Sequence, residues 1–252
     1  MYINNSAIKR IAKDVKYIIT NEESLSSENI YYKHDEENVF KGYALIVGNK
    51  CTPYAYGYYF FEFIFPDNYP FAPPVVKYLT NDGSMRFNPN LYSNGKVCLS
   101  ILNTWSGESW SSCQSIHSIL FTLVTILCDN PLLNEPGVKE DHSELNKYNY
   151  LVFYKNLEFS VATLLCLINE FPIEHNVPKK LTHHNIEIMR KFKTIINSTF
   201  QNNKTQILEL INTNKIKYSN FITMKNPFEI GVYNLNYNLN YNKLYDLIKD
   251  VC

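Results

Sequence analysis

Phe87-Asn-Pro-Asn-Leu-Tyr-Ser-Asn-Gly-Lys-Val-Cys-Leu-Ser-Ile-Leu102 is the stretch on which the reading of this 252-residue chain turns. Asn88 precedes Pro89, which pushes it out of helical geometry and into extended backbone. Ser93-Asn94-Gly95 is a second turn signal a few residues later. Two turns about one short segment fold Asn90 back toward Cys98. A thiol with a side-chain amide close by is what a thioester site needs: the sulfur attacks and carries the acyl group, and the amide N–H stabilises the oxyanion of the tetrahedral intermediate. Cys98 is therefore the expected nucleophile, and Asn90 the expected donor.

The residues before this stretch read as a scaffold. Ile8, Ile11, Ala12, Val15, Ile18 and Ile19 recur at helical spacing and predict a helix over 6–20. Lys9, Arg10, Lys13 and Lys16 lie off that stripe, either as a solvated face or as a docking face for an acidic partner. Three strand-like segments follow at 39–47, 58–65 and 75–80, rich in aromatic and branched residues, with the spacing of an antiparallel meander. Between the last two runs Phe65-Pro-Asp-Asn-Tyr-Pro-Phe-Ala-Pro-Pro74, whose prolines exclude both helix and central strand. Phe71 sits near the tip of that stiff loop. It either packs beneath the loop or stands out as an aromatic anchor for a partner.

Beyond Leu102 the pattern turns helical. Trp105 and Trp110 bracket a polar loop, and Ile116, Ile119, Leu120, Leu123, Val124 and Leu127 form a clean stripe. Asp129-Asn-Pro-Leu-Leu-Asn-Glu-Pro-Gly137 ends that helix and puts Glu135 in an irregular segment. A second long helix is expected over 143–169. Further helices are expected after Pro178: one marked by Ile186, Met189, Ile195 and Ile196, a shorter one over 207–211, and one near 244–251. A loop or hairpin is expected at 233–240.

Composition narrows the function classes. Twenty-four basic residues balance 24 acidic ones, so no bulk charge draws the chain to nucleic acid. The six cysteines show no C-x-x-C pair and no metal spacing with histidine, which suggests free thiols in a reducing compartment. Cys113, Cys128 and Cys166 read as inert thiols in helical pattern. The first 20 residues are amphipathic with scattered charges and do not read as a secretion signal, and no apolar run reads as long enough to span a membrane. An intracellular protein, cytoplasmic or nuclear, with no membrane partner is expected.

Taken together, Tyr-Pro-Phe-Ala-Pro-Pro74, Phe-Asn-Pro-Asn90, Gly-Lys-Val-Cys-Leu-Ser-Ile-Leu102 and Trp110-Ser111 resemble, in order and spacing, the core of the ubiquitin-conjugating enzymes. The resemblance covers about residues 5–169. The Leu-Asn-Thr-Trp105 insertion and Asn-Glu-Pro-Gly137 look like the larger members, and Lys-Asn-Pro-Phe-Glu229 looks like the extension of the Z-type branch. The resemblance implies an α+β fold: an N-terminal helix, a four-stranded antiparallel meander and C-terminal helices over 1–169, with a helical extension over 170–252 packed on that core. It also implies a mechanism. An activating enzyme spends ATP and passes ubiquitin, or a ubiquitin-like protein, to Cys98 as a thioester, and a substrate lysine presented by a ligase then attacks. Asn90 falls on the family's transition-state asparagine, Asn88 and Pro89 on its loop brace, and Glu135 on the acidic residue that positions the lysine. Phe71, Ser112 and Cys113 fall where ligases dock, and Lys9, Arg10 and Lys13 lie on the helix that meets the activating enzyme. No cofactor is expected on this chain, which has no phosphate-binding loop, nor a metal at His183-His184.

The chain departs from the family at several points. Asn88 stands where histidine is usual, Ser100 where aspartate is common, Ser112 where the ligase loop usually has proline, and Glu135 where aspartate is usual. Three other functions fit these residues less well. An inactive ubiquitin- or ligase-binding module typically lacks the cysteine that this chain keeps. A cysteine protease needs a histidine base, and none of the six histidines sits in a motif that suggests one. A combined conjugating enzyme and ligase carries long regions absent here.

Overall fold

The computed structural model describes residues 5–172, 181–219, 228–237 and 239–251. The sequence expected at the start of the extension, around Pro178, and the Lys-Asn-Pro227 part of the Z-type motif lie outside the described residues.

The chain opens with α1 (Asn5–Thr20) and the short α2 (Glu22–Ser27), followed by β1 (Ile30–His34), β2 (Lys41–Val47), β3 (Tyr58–Ile64) and β4 (Val75–Tyr78). The four strands form one sheet in chain order, with β1 antiparallel to β2 and β3 antiparallel to β4. This is the expected meander. β1 is the strand that apolar alternation does not single out, since Ile30-Tyr-Tyr-Lys-His34 is polar at its end and only its first residue is fully buried. β3 is apolar on both faces because both are buried. Its one charged residue, Glu62, is buried and faces Lys77 across the β3–β4 ladder, with nitrogen and oxygen 3.4 Å apart.

α1 spans the predicted helix, but its inner face is rotated from the expected stripe. Ala7, Ile11, Asp14 and Ile18 are buried, whereas Ala12 is exposed and Ile19 is 65% exposed. A carboxylate takes an inward position because it has partners there: Arg10 Nε donates to Asp14 at 2.9 Å, and the Tyr69 phenol donates to it at 2.5 Å. α1 packs against α3 (Ile116–Ile126), whose N-terminus is closed by a reciprocal pair, Ser115 with Ser118. Cys113 lies in the turn before α3 and is exposed, and Cys128 follows the end of that helix, so neither is within a helix as expected.

The chain divides into two compact units. The first comprises residues 1–47 and 59–127; the second comprises 48–58 and 128–252. In the second, α4 (Leu145–Lys155) runs through a wider π-helical stretch (Asn156–Thr163) into α5 (Leu164–Asn169). That run is the expected long helix. Contrary to expectation, it is long and apolar enough to cross a bilayer, but 78% of its apolar window is buried, as in a core helix. Asn156, fully buried, anchors it by donating to the Ala55 carbonyl at 2.8 Å. α6 (His183–Arg190) and α7 (Lys193–Lys217) follow. The expected single helix through 186–196 is broken at Lys191-Phe192, and the expected short helix at 207–211 is the middle of the 25-residue α7. Phe192 is buried at the break, so packing and not a proline or glycine sets it. β5 (Phe228–Ile230) and β6 (Leu235–Tyr237) form a hairpin, and α8 (Tyr241–Asp250) packs on α7 and on the π-helical stretch.

Candidate active site

The loop bearing Cys98 grows from the edge of the sheet. The Tyr78 N–H at the end of β4 donates to the Gly95 carbonyl at 2.8 Å, and Lys77 bridges Lys96. Gly95 has φ +87°, and a Cβ there would lie 3.0 Å from the Tyr78 carbonyl oxygen, so both backbone and space require glycine. The chain then doubles on itself. Tyr92 N–H donates to Lys96 O at 3.0 Å, Leu91 bridges Val97, and Cys98 N–H donates to Asn90 O at 2.9 Å.

Asn90 meets Cys98 twice. Besides that backbone bond, its Nδ2 donates to the Cys98 carbonyl at 2.7 Å. An amide nitrogen has two hydrogens, and this bond uses one of them. Both residues are buried, Cys98 to 1% exposure. Asn88 braces the turn from within: its Oδ1 accepts the Asn90 N–H at 2.8 Å, and its Nδ2 donates to the Ile126 carbonyl at 2.7 Å. Ile126 ends α3, where carbonyls lack an intrahelical partner, so one amide closes the loop and caps the helix. The Pro89 carbonyl accepts from Arg86 Nη2 at 2.6 Å, and the Arg86 guanidinium lies 3.7 Å from the centre of the Tyr92 ring. Cys98, Asn90, Asn88 and Pro89 are thus brought together in one loop, as read from the sequence.

A second cluster joins α1 to two loops. Arg10 donates through Nη1 to Ser112 O at 2.7 Å and through Nη2 to Gln114 O at 2.5 Å, while its Nε holds Asp14. The Tyr69 phenol, pushed far up from the usual tyrosine range by burial and by its bond to Asp14, is the other partner of that carboxylate. The Tyr69 ring lies 5.9 Å from Trp110, whose Nε1 donates to Pro70 O at 2.7 Å. Phe71, next in the chain, is 75% exposed, which decides between its two readings. Ser112, Cys113, Lys9 and Lys13 are exposed as well. Arg10 differs from its neighbours: its guanidinium is spent inside the unit.

Glu135 lies in the second unit, where its carboxylate accepts the Tyr233 phenol at 2.5 Å. Glu144 accepts the Gly231 and Val232 N–H groups at 2.7 and 3.1 Å and fastens the same hairpin. Among the described residues no group of three His, Cys, Asp or Glu side chains could hold a metal ion. Sequence reasoning missed Asp14, Tyr69 and Thr104, whose hydroxyl lies between Val97 and Leu99. The i,i+4 pairing of Arg10 with Asp14 was the one signal for the first two.

Comparison with known proteins gives the family. A family model described as ubiquitin-conjugating enzyme matches residues 10–161. Ubiquitin-conjugating enzyme E2 Z of Xenopus tropicalis is 38% identical over 165 residues, 64% of this chain and 51% of that protein. Its human counterpart is 40% identical over 134 residues, 52% of this chain and 38% of that protein. A probable ubiquitin-conjugating enzyme of Acanthamoeba polyphaga mimivirus is 32% identical over 228 residues, 82% of this chain and 15% of that protein. The chain therefore spans about half or less of the length of these relatives. With a family model covering residues 10–161 and a four-stranded sheet that carries the cysteine loop at its edge, the chain belongs to the ubiquitin-conjugating enzyme family.

Proposed function

We propose that this chain is an active conjugating enzyme that carries ubiquitin or a ubiquitin-like protein on Cys98. The Cys98 thiolate attacks the modifier's C-terminal thioester carbonyl on the activating enzyme. A new S–C bond forms, and the activating enzyme's thiolate leaves. A neutral lysine amine of the substrate then attacks the same carbonyl. The tetrahedral oxyanion accepts the second Nδ2 hydrogen of Asn90, the C–S bond breaks, Cys98 departs as thiolate and the amine loses a proton to solvent. The thioester is already activated, so the step needs placement and an oxyanion donor more than a strong base. ATP is spent by the activating enzyme. A ligase docks on the surface marked by Phe71, Ser112 and Cys113, and the activating enzyme on the α1 face with Lys9 and Lys13. We propose that it works inside the cell, in cytoplasm or nucleus, where the thiols stay reduced.

The observation that carries the reading is the double contact of Asn90 with Cys98. The competing reading, a silent binding module of the same fold, is favoured by one observation, the burial of Cys98. A loading assay decides. The chain is mixed with ubiquitin, ATP and each of a panel of activating enzymes and run on non-reducing gels beside Cys98→Ala. The expected result is a band one ubiquitin heavier that reductant removes and the variant lacks. A folded sample that gives no such band with any activating enzyme or ubiquitin-like modifier supports the binding module.

A further inference from the structure

We propose that Thr104 is a positioning residue for Cys98, holding from one side the backbone that Asn90 holds from the other. Two peptide planes meet at the Cys98 Cα. The first contains the Val97 carbonyl and the Cys98 N–H; the second contains the Cys98 carbonyl and the Leu99 N–H. Asn90 takes one group of each plane: its carbonyl accepts the Cys98 N–H at 2.9 Å and its Nδ2 donates to the Cys98 carbonyl at 2.7 Å. The Thr104 hydroxyl takes the other two. It accepts the Leu99 N–H at 2.9 Å and donates to the Val97 carbonyl at 2.8 Å, with the Leu99 carbonyl at 3.1 Å as a second acceptor for its single proton. All four polar groups of the two planes are occupied. That fixes both dihedrals at Cys98 and hence the direction of its Cα–Cβ bond.

The chain brings Thr104 there by a built corner. Asn103 has φ +56°, a conformation that asparagine tolerates, and its N–H donates to Ser100 O at 2.8 Å. Its side-chain oxygen accepts the Trp110 N–H at 2.8 Å, and the Thr104 N–H donates to Leu99 O at 3.2 Å. Gly107, at φ +130°, passes over Ser100 so closely that a Cβ would lie 3.0 Å from the Ser100 Cβ. Thr104 itself is exposed as a residue. Its hydroxyl therefore serves the loop and not the core, and exchange for valine removes one donor and one acceptor without emptying a packed site.

The inference rests on Cys98 being the acyl carrier, and its test separates the two claims. Thr104→Val and Thr104→Ser are made in the full chain. One measurement is single-turnover discharge of the Cys98 thioester to free lysine. The other is the rate of alkylation of individual cysteines by iodoacetamide, read by peptide mass spectrometry, with buried Cys166 as internal control. Thr104→Val is expected to slow discharge roughly 10-fold or more, since small misplacements of reacting groups are costly. It is expected to raise Cys98 alkylation severalfold as the loop loosens, with Cys166 unchanged, and Thr104→Ser is expected to behave as the parent in both. The inference is overturned if valine leaves both rates unchanged, if serine matches valine, or if Cys166 accelerates alongside Cys98, which would make the hydroxyl a support of the whole fold. If the parent chain takes no modifier, the carrier reading fails. The alkylation ratio then decides the positioning claim alone, a selective rise at Cys98 supporting it and its absence refuting it.

Discussion

The loop around Cys98 and the pair of loops carrying Phe71 and Ser112 are both irregular segments of the first unit, but they are held in different ways. Next to Cys98 its loop is fastened by short neutral side chains, two amides and a hydroxyl from Asn88, Asn90 and Thr104, with one cation, Arg86, farther out on the Pro89 carbonyl. The other pair is fastened from beneath by long side chains and charge: the Arg10 guanidinium on two carbonyls, Asp14 between Arg10 and Tyr69, and the Trp110 indole on Pro70. Above that base Phe71 is left bare. The contrast fits the roles proposed for the two regions. Chemistry at a carbonyl requires the sulfur and the donor within a fraction of an ångström, and short side chains with few rotamers hold that tolerance. Docking requires a rigid platform with an exposed apolar group on top, and long side chains can supply the platform at a distance.

The contrast is broken or sharpened first at Asn90. Asn90→Ala should slow discharge of the loaded thioester to lysine about 100-fold, the usual loss for one oxyanion donor, while loading from the activating enzyme changes far less. Single-turnover discharge and loading, measured on the same preparation, give the two numbers. An equal loss in both would mean that the bond to the Cys98 carbonyl is the whole contribution of Asn90, a brace for the loop and no part of the transfer.

Arg10 probes the other region. Arg10→Ala strips one partner from a buried carboxylate and two carbonyl contacts, although Tyr69 still holds Asp14. The expected cost is about 2 kcal/mol of unfolding free energy, read as a shift in urea midpoint at constant slope. Lysine can keep the charge but not the planar fork, so Arg10→Lys should recover less than half of it. Discharge to free lysine should stay at the parental rate, because the Cys98 loop has its own fasteners. A fall in that rate comparable to that of Asn90→Ala would show that the two regions are one mechanical unit.

How far the sequence could be read follows the same division. The Cys98 loop was legible because its partners are close in sequence: Asn90 and Cys98 lie eight residues apart, and two turn signals bring them together. The base beneath Phe71 was not, because all its bonds but Arg10 to Asp14 join residues far apart in the chain, Asp14 to Tyr69 and Arg10 to Ser112 and Gln114 among them. Asp14 reads as a polar interruption of an apolar stripe until Tyr69 is seen beneath it, which is why the inner face of α1 came out rotated. β1 escaped notice because its residues after Ile30 are only partly buried and carry no apolar alternation. The break at Lys191-Phe192 has no proline or glycine to announce it, and the exposed turn holding Cys113 gave no periodicity to separate it from the helix that follows.

The smallest effect on stability and the sharpest test of recognition belong to Phe71. With 75% of the residue in solvent, little apolar area is lost from the folded state by truncation, so Phe71→Ala should shift unfolding free energy by no more than about 0.5 kcal/mol. Discharge to free lysine should be parental for the same reason that it is in Arg10→Ala. What should change is stimulation by a ligase. An exposed aromatic on a braced loop is the kind of side chain that contributes a large share of an interface, and its removal should lower ligase-stimulated discharge by roughly 10-fold or more. The measurement is the ratio of discharge with and without each member of a panel of ligase RING domains, for parent and variant. A variant that loses stability but keeps its stimulation would place Phe71 among the fasteners. The bare top of the docking loops would then be part of their base, and the distinction between the two regions would rest on Arg10 and Asp14 alone.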